Sequence, residues 1–211
     1  MSESIRQLKT EGKWHKIYST PTHPRIYESK FASGDARISL SELRQIWEHW
    51  HEGERIEFAQ AYGQKRTLSS EDERILEFLI RQSDGRIAAS VALLTTKHPD
   101  KKMVTDFLRH SITAFPHDRA NFVHALAYVI APDAAPDLLR VLQECQTRVA
   151  ENEQNHHAII ELLYCSTALF KIFRDEKYQN VVAAFLNHPA ASVRTNAEIC
   201  IQETRVSSGG R

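Results

Sequence analysis

From about residue 39 onward, apolar residues recur at three- and four-residue spacing, and strand-like alternation is almost absent. The periodicity predicts an all-α chain. Ser39-x-x-Glu42, Ser69-x-x-Asp72 and Ser70-x-x-Glu73 have the form of capping boxes, in which side-chain oxygens satisfy the orphan amide donors of a helix start. Pro99, Pro116, Pro132 and Pro189 separate apolar-periodic runs, and Pro136 suits the first turn of a helix. Between Arg86 and Ser208 there is no glycine. These marks predict helices near 40–51, 54–64, 71–82, 86–97, 100–114, 118–131, 134–152, 156–173, 176–187 and 191–204. Ten helices make five hairpins, and the second helix of each pair starts 32 to 38 residues after the previous one.

The second helices are more apolar than the first. Ile87, Val91 and Leu94 lie in one, Phe122, Ala125 and Val129 in another, and Ile159, Leu162 and Leu163 in a third. Helices sandwiched between neighbouring repeats are apolar over most of their circumference. The clearest of them is preceded by the turn at His188-Pro189 and places Val193, Ala197 and Cys200 on one face, with Arg194 and Glu198 on the next. On the motif Val193-Arg194-x-x-Ala197, residues of about 40–205 resemble HEAT-repeat proteins, although the matching stretch Ile87-Ala88-x-x-Val91 lacks the arginine. The resemblance implies a short right-handed α-solenoid of about five HEAT-like hairpins over 39–205. An ordinary helical bundle would share its helix lengths and short loops. Residues 1–38 read as an irregular arm packed on the first repeats. Thr20-Pro21-Thr22-His23-Pro24 breaks any helix there, while Trp14, Ile17, Tyr18, Ile26, Tyr27 and Phe31 are too apolar for a solvated tail. Residues 206–211 read as a flexible tail.

Composition narrows the classes of partner. Twenty-seven Lys and Arg balance twenty-seven Asp and Glu, so no global field draws the chain to nucleic acid or an anionic membrane. The first residues lack an apolar signal core, and no run of about 18 uncharged apolar residues follows, which predicts a cytoplasmic chain without membrane association. Cys145, Cys165 and Cys200 are odd in number, far apart and set in apolar helical runs. That pattern suits buried thiols rather than disulfides or zinc ligands.

Several kinds of chemistry have partial counterparts in the sequence. His-Glu dipeptides supply ligands in the HEAT-repeat hydroxylases that modify a lysine on a translation factor, but only His51-Glu52 occurs here, and one dipeptide cannot build a di-iron site. Glu48 and Glu52, at i and i+4, read instead as an acidic helix face. His156-His157 with Glu161 has i, i+4 spacing but no third ligand in view. No Gly-x-Ser-x-Gly elbow or glycine-rich phosphate loop is present. A family of HEAT-like proteins excises alkylated DNA bases with tryptophans and an Asp on a concave face. Here Trp14, Trp47 and Trp50 all sit in the first quarter, and only Arg86, Arg119 and Arg194 lie near second-helix starts.

What remains is a polar and aromatic stripe on the second helices. Arg86 and Ser90 share a face, as do Asn121, His124 and Tyr128, then His157, Glu161 and Tyr164, then Arg194, Glu198 and Gln202. In a solenoid such a stripe lines the concave surface, with aromatic anchors of the kind enriched at protein interfaces. No catalytic residue, metal or cofactor is expected. The expected function is non-enzymatic binding of one dedicated protein partner, with a toxin-neutralising immunity protein or small adaptor implied by analogy with small HEAT-like proteins. A nucleic-acid-binding or base-excising protein is the alternative.

Overall fold

A computed structural model describes residues 38–206, so the arm expected over 1–38 and the tail expected over 206–211 lie essentially outside the described residues. Among the described residues there are ten α-helices, one 3-10 turn and no strand. No helix among them is long and apolar enough to cross a membrane. The chain divides into two compact units, one ending at His98 and the other beginning at Pro99.

The first unit contains α1 (Leu40–Trp47), α2 (Glu52–Gly63), α3 (Ser70–Ile80) and α4 (Gly85–Thr95). Helix α1 begins at the predicted capping box: Ser39 Oγ accepts the amide of Glu42 at 3.2 Å, and the Glu42 carboxylate accepts the amide of Ser39 at 3.0 Å. For α3 the box is Ser69 with Asp72, so Ser70 opens the helix and does not cap it. Helix α1 is shorter than expected. It stops at Trp47, because the Glu54 carboxylate captures the amide of His51 at 2.8 Å and starts a new helix there. Glu48 and Glu52 therefore do not share one helix face. Arg55 closes the end of α1 by donating to the carbonyl of Trp47 at 3.0 Å while lying over its ring.

The core of this unit is aromatic. Trp47 and Trp50 stand 5.8 Å apart, Phe58 stacks on Tyr62 at 5.5 Å, and Leu43, Leu76, Leu79 and Leu94 complete the cluster. Each fully buried aliphatic side chain contributes about 1.5–3 kcal/mol. Helix α4 packs on α2 and α3. The α2–α4 crossing is close enough that a Cβ at Gly63 would run into the carbonyl oxygen of Ser90.

The second unit contains α5 (Lys101–Ala114), α6 (Arg119–Val129), a 3-10 turn (Pro132–Ala134), α7 (Ala135–Glu151), α8 (His156–Phe173), α9 (Glu176–Ala183) and α10 (Ala191–Val206). Pro136 falls in the first turn of α7, as its fixed φ favours. Helix α8 is the hub and packs on α6, α7, α9 and α10. Its sequence is apolar nearly all round for that reason, with Ile159, Leu162, Leu163 and Leu169 buried among its neighbours. The three cysteines are free thiols inside this unit.

The helices expected to be the second of each pair begin at Glu52, Gly85, Arg119, His156 and Ala191, so their starts are 33 to 37 residues apart. Within the first unit α2 lies against α4; within the second, α8 lies between α6 and α10. Two helices of the second unit end on left-handed residues that are not glycine, Ile130 with φ of 52° and Arg174 with φ of 57°. Left-handed helix ends are usually glycine, and the stretch from Arg86 to Ser208 holds none.

Candidate functional site

Helices α6, α8 and α10 lie side by side, and each turns one polar and aromatic edge to a common face. His124 and Tyr128 are one turn apart on α6; Tyr164 and Lys171 are two turns apart on α8; Asn196, Ile199 and Glu203 follow at i, i+3 and i+7 on α10. The His124 ring stacks on Tyr164 with centroids 4.0 Å apart and planes 2° from parallel. Tyr164 donates its hydroxyl to Asn196 Oδ1 at 2.5 Å.

One turn further along, Glu203 gathers three partners. Tyr128 donates its hydroxyl to Glu203 Oε1 at 2.5 Å, His124 Nε2 stands 3.1 Å from the same oxygen, and Lys171 Nζ donates to Oε2 at 3.2 Å. The Lys171 ammonium also lies 4.9 Å from the centre of the Tyr128 ring. Burial alone would raise the pKa of Glu203. The hydrogen bonds from His124 and Tyr128, with the charges of His124 and Lys171, outweigh burial and pull it from the ordinary 4.5 to about 2. Burial, together with the Glu203 carboxylate, pushes the Tyr128 hydroxyl well above its ordinary range. Burial first, then the neighbouring Cys200 and Glu203, push Tyr164 up to about 12.

Beside this cluster opens a cleft of about 490 Å³, lined by Tyr128, Ile130, Lys171, Ile199, Gln202 and Glu203. Its rim carries three part-exposed apolar side chains: Tyr128 is 48% exposed, Ile130 42% and Ile199 39%. Ile130 takes the left-handed conformation that a β-branched side chain disfavours. The face thus presents phenol rings over a floor in which a firmly ionised carboxylate is paired with an ammonium. Burial pushes the nearest thiol, Cys200, up to about 12, which leaves no ready nucleophile at that position.

Glu161 is a correction to the predicted stripe. It is fully buried and faces α6 and α7. Arg119 grips it with two hydrogen bonds, Nε to Oε1 at 2.7 Å and Nη2 to Oε2 at 3.2 Å, while Arg148 and the Cys145 thiol reach Oε2 at 2.9 and 3.3 Å. Helix α8 has neighbours on several sides, so only its narrow outer edge stays open; Glu161 misses that edge and is stable inside because its charge is paired. Arg119 is itself buried and also bonds Glu144 at 2.6 Å. It is therefore no exposed cation for a phosphate backbone. Exposed His157 and buried Glu161 do not converge on one point. Among the described residues no three His, Cys, Asp or Glu side chains form a group that could hold a metal ion.

The other stripe residues divide. Asn121, His157 and Glu198 are exposed on α6, α8 and α10. Arg194 is occupied with the turn before α10, donating to the carbonyls of His188 and Pro189 at 2.8 and 2.7 Å. In the first unit Arg86 pairs with Asp84 and Glu52, and the Ser90 hydroxyl donates to the Arg86 carbonyl at 2.6 Å. Lys171, Asn196, Ile199 and Glu203 were missed. Stepping seven residues from Tyr164 reaches Lys171, and following Asn196 instead of Arg194 along α10 reaches Ile199 and Glu203. No known protein family matches this chain, and no curated protein or solved structure is detectably similar to it.

Proposed function

We propose that this protein is a non-enzymatic, cytoplasmic binding module that recognises one dedicated protein partner through the α6–α8–α10 face, carried on a HEAT-like solenoid scaffold. One observation supports this reading above the others. Tyr128, Ile130 and Ile199 expose apolar surface around a fixed polar floor, and this combination of an aromatic anchor, aliphatic rim and oriented charges is the composition of interface hot spots. A toxin-neutralising immunity protein or a small adaptor is the kind of role that fits such a face. The immunity role calls for a partner held at nanomolar affinity or tighter, about −12 kcal/mol.

The test is capture of the partner on tagged protein, followed by calorimetry with variants of the face. Tyr128→Ala is expected to weaken binding tenfold or more, about 1.4 kcal/mol, and to lower the melting temperature modestly through its lost hydrogen bond to Glu203, so affinity is compared at a temperature where the variant is folded. Tyr164→Ala is expected to cost stability as well, since that ring is stacked and hydrogen-bonded. If Tyr128→Ala and Ile199→Glu both leave the captured partner's affinity unchanged, the face is not the binding surface.

A further inference from the structure

We infer that the cleft beside Tyr128 receives an acidic side chain of the partner, carried next to a large apolar residue. This deepens the proposed function and rests on it. The polar valence of the cleft floor is unequally used. Both carboxylate oxygens of Glu203 are already covered, Oε1 by Tyr128 and His124 and Oε2 by Lys171, so the negative charge is turned into the protein. Lys171 is in the opposite position. Its side chain is only 5% exposed, and among the described residues its ammonium donates one hydrogen bond, to Glu203, although an ammonium carries three donors. The Tyr128 ring sits against the same ammonium and accepts it through its face but offers no oxygen there. A sequestered ammonium with donors to spare asks for an acceptor, and an anionic acceptor gives the stronger, charge-assisted bond.

The rest of the lining selects what accompanies that acid. Ile130 and Ile199 flank the opening with exposed aliphatic surface, and Gln202 adds an amide that both donates and accepts. A carboxylate entering alone would leave the aliphatic rim wet. A carboxylate beside a Phe- or Leu-sized side chain buries both. A basic side chain has the wrong sign, because its natural acceptor, Glu203, is already engaged by three donors.

Amide-resolved NMR titration of the full chain tests this with blocked dipeptides, acetyl-Phe-Glu-amide against acetyl-Phe-Gln-amide and acetyl-Phe-Lys-amide. The acidic probe is expected to bind with a Kd of about 1–10 mM and to shift amides at 127–130, 171 and 199–203. It should bind at least about fivefold more tightly than the neutral or basic probe, with the preference shrinking in high salt as a charge contact does. Lys171→Gln should abolish the preference while leaving the weak Phe-driven shifts. Equal binding of the acidic and neutral probes, preference for the basic probe, or no shift at these positions at about 10 mM overturns the inference. The wild-type titrations need no variant to fold. A captured partner that is lost from Tyr128→Ala but fully retained by a folded Lys171→Gln leaves the binding-module reading standing and removes the acidic one. A captured partner whose affinity is unchanged by Tyr128→Ala and Ile199→Glu removes this face from the proposed function, even with the dipeptide preference intact.

Discussion

Glu161 and Glu203 show how differently one residue type can be used within a single unit. Glu161 is enclosed and held by Arg119, Arg148 and the Cys145 thiol, so removing it strands an arginine in the interior. Breaking a buried pair costs about 3–5 kcal/mol. Because Glu144 stays on Arg119 and Arg148 reaches solvent, Glu161→Ala should fall near the lower end, about 3 kcal/mol in urea unfolding. A loss under about 1 kcal/mol would mean the cluster contributes little. Glu203 answers to pH instead. Its pKa drops from 4.5 to about 2 on folding, so its stabilising contribution is complete above pH 4.5 and fades as the pH falls toward 2. Glu203→Gln should therefore be less stable than wild type at neutral pH, with the gap closing between pH 4.5 and about 2 in parallel thermal melts. A gap that stays constant across that window would assign the effect to packing. In the sequence, His124, Tyr128 and Tyr164 were legible as one face, but Glu161 was read onto that face although it is buried, and Glu203, one residue beyond Gln202, was not read at all. On a helix a single residue is a 100° rotation, enough to exchange solvent for core.

Helix starts were the most legible elements because they are written in local chemistry. Ser39 with Glu42 and Ser69 with Asp72 cap as their spacing demands. Helix ends were less so, since the break after Trp47 depends on Glu54 seizing the amide of His51, a choice between two helical continuations of similar composition. The packing of α2 on α4 was not legible at all. Gly63 reads as an ordinary helix-ending glycine until the carbonyl of Ser90 is found in the space of its missing Cβ. Gly63→Ala should accordingly destabilise by about 1–3 kcal/mol despite alanine's better helix propensity, because the obstacle is backbone and cannot rotate aside. An unchanged or raised unfolding midpoint would show that the two helices separate at no cost.

At the scale of the molecule, the regular spacing of second helices could be read from the sequence, whereas the division at His98 and Pro99 could not. Periodicity is a local property, and compactness depends on contacts between distant residues. The units also differ in build. Helices of the first run 8 to 12 residues, while α7 and α8 of the second run 17 and 18. Trp47 and Trp50 lie in the first unit and all three cysteines in the second, so tryptophan fluorescence and thiol labelling follow the two separately once Trp14 is replaced by phenylalanine. The fluorescence transition should come at lower urea than the exposure of the thiols; coincident transitions would show one cooperative fold. The left-handed helix ends at Ile130 and Arg174 have a last consequence, for engineering and for descent. Left-handed backbone costs a side-chain-bearing residue about 1–2 kcal/mol, so glycine there is an unused route to a hardier protein. At Arg174, which does not line the cleft, that route is open. At Ile130 it would strip the rim, and the same substitution would exchange function for durability.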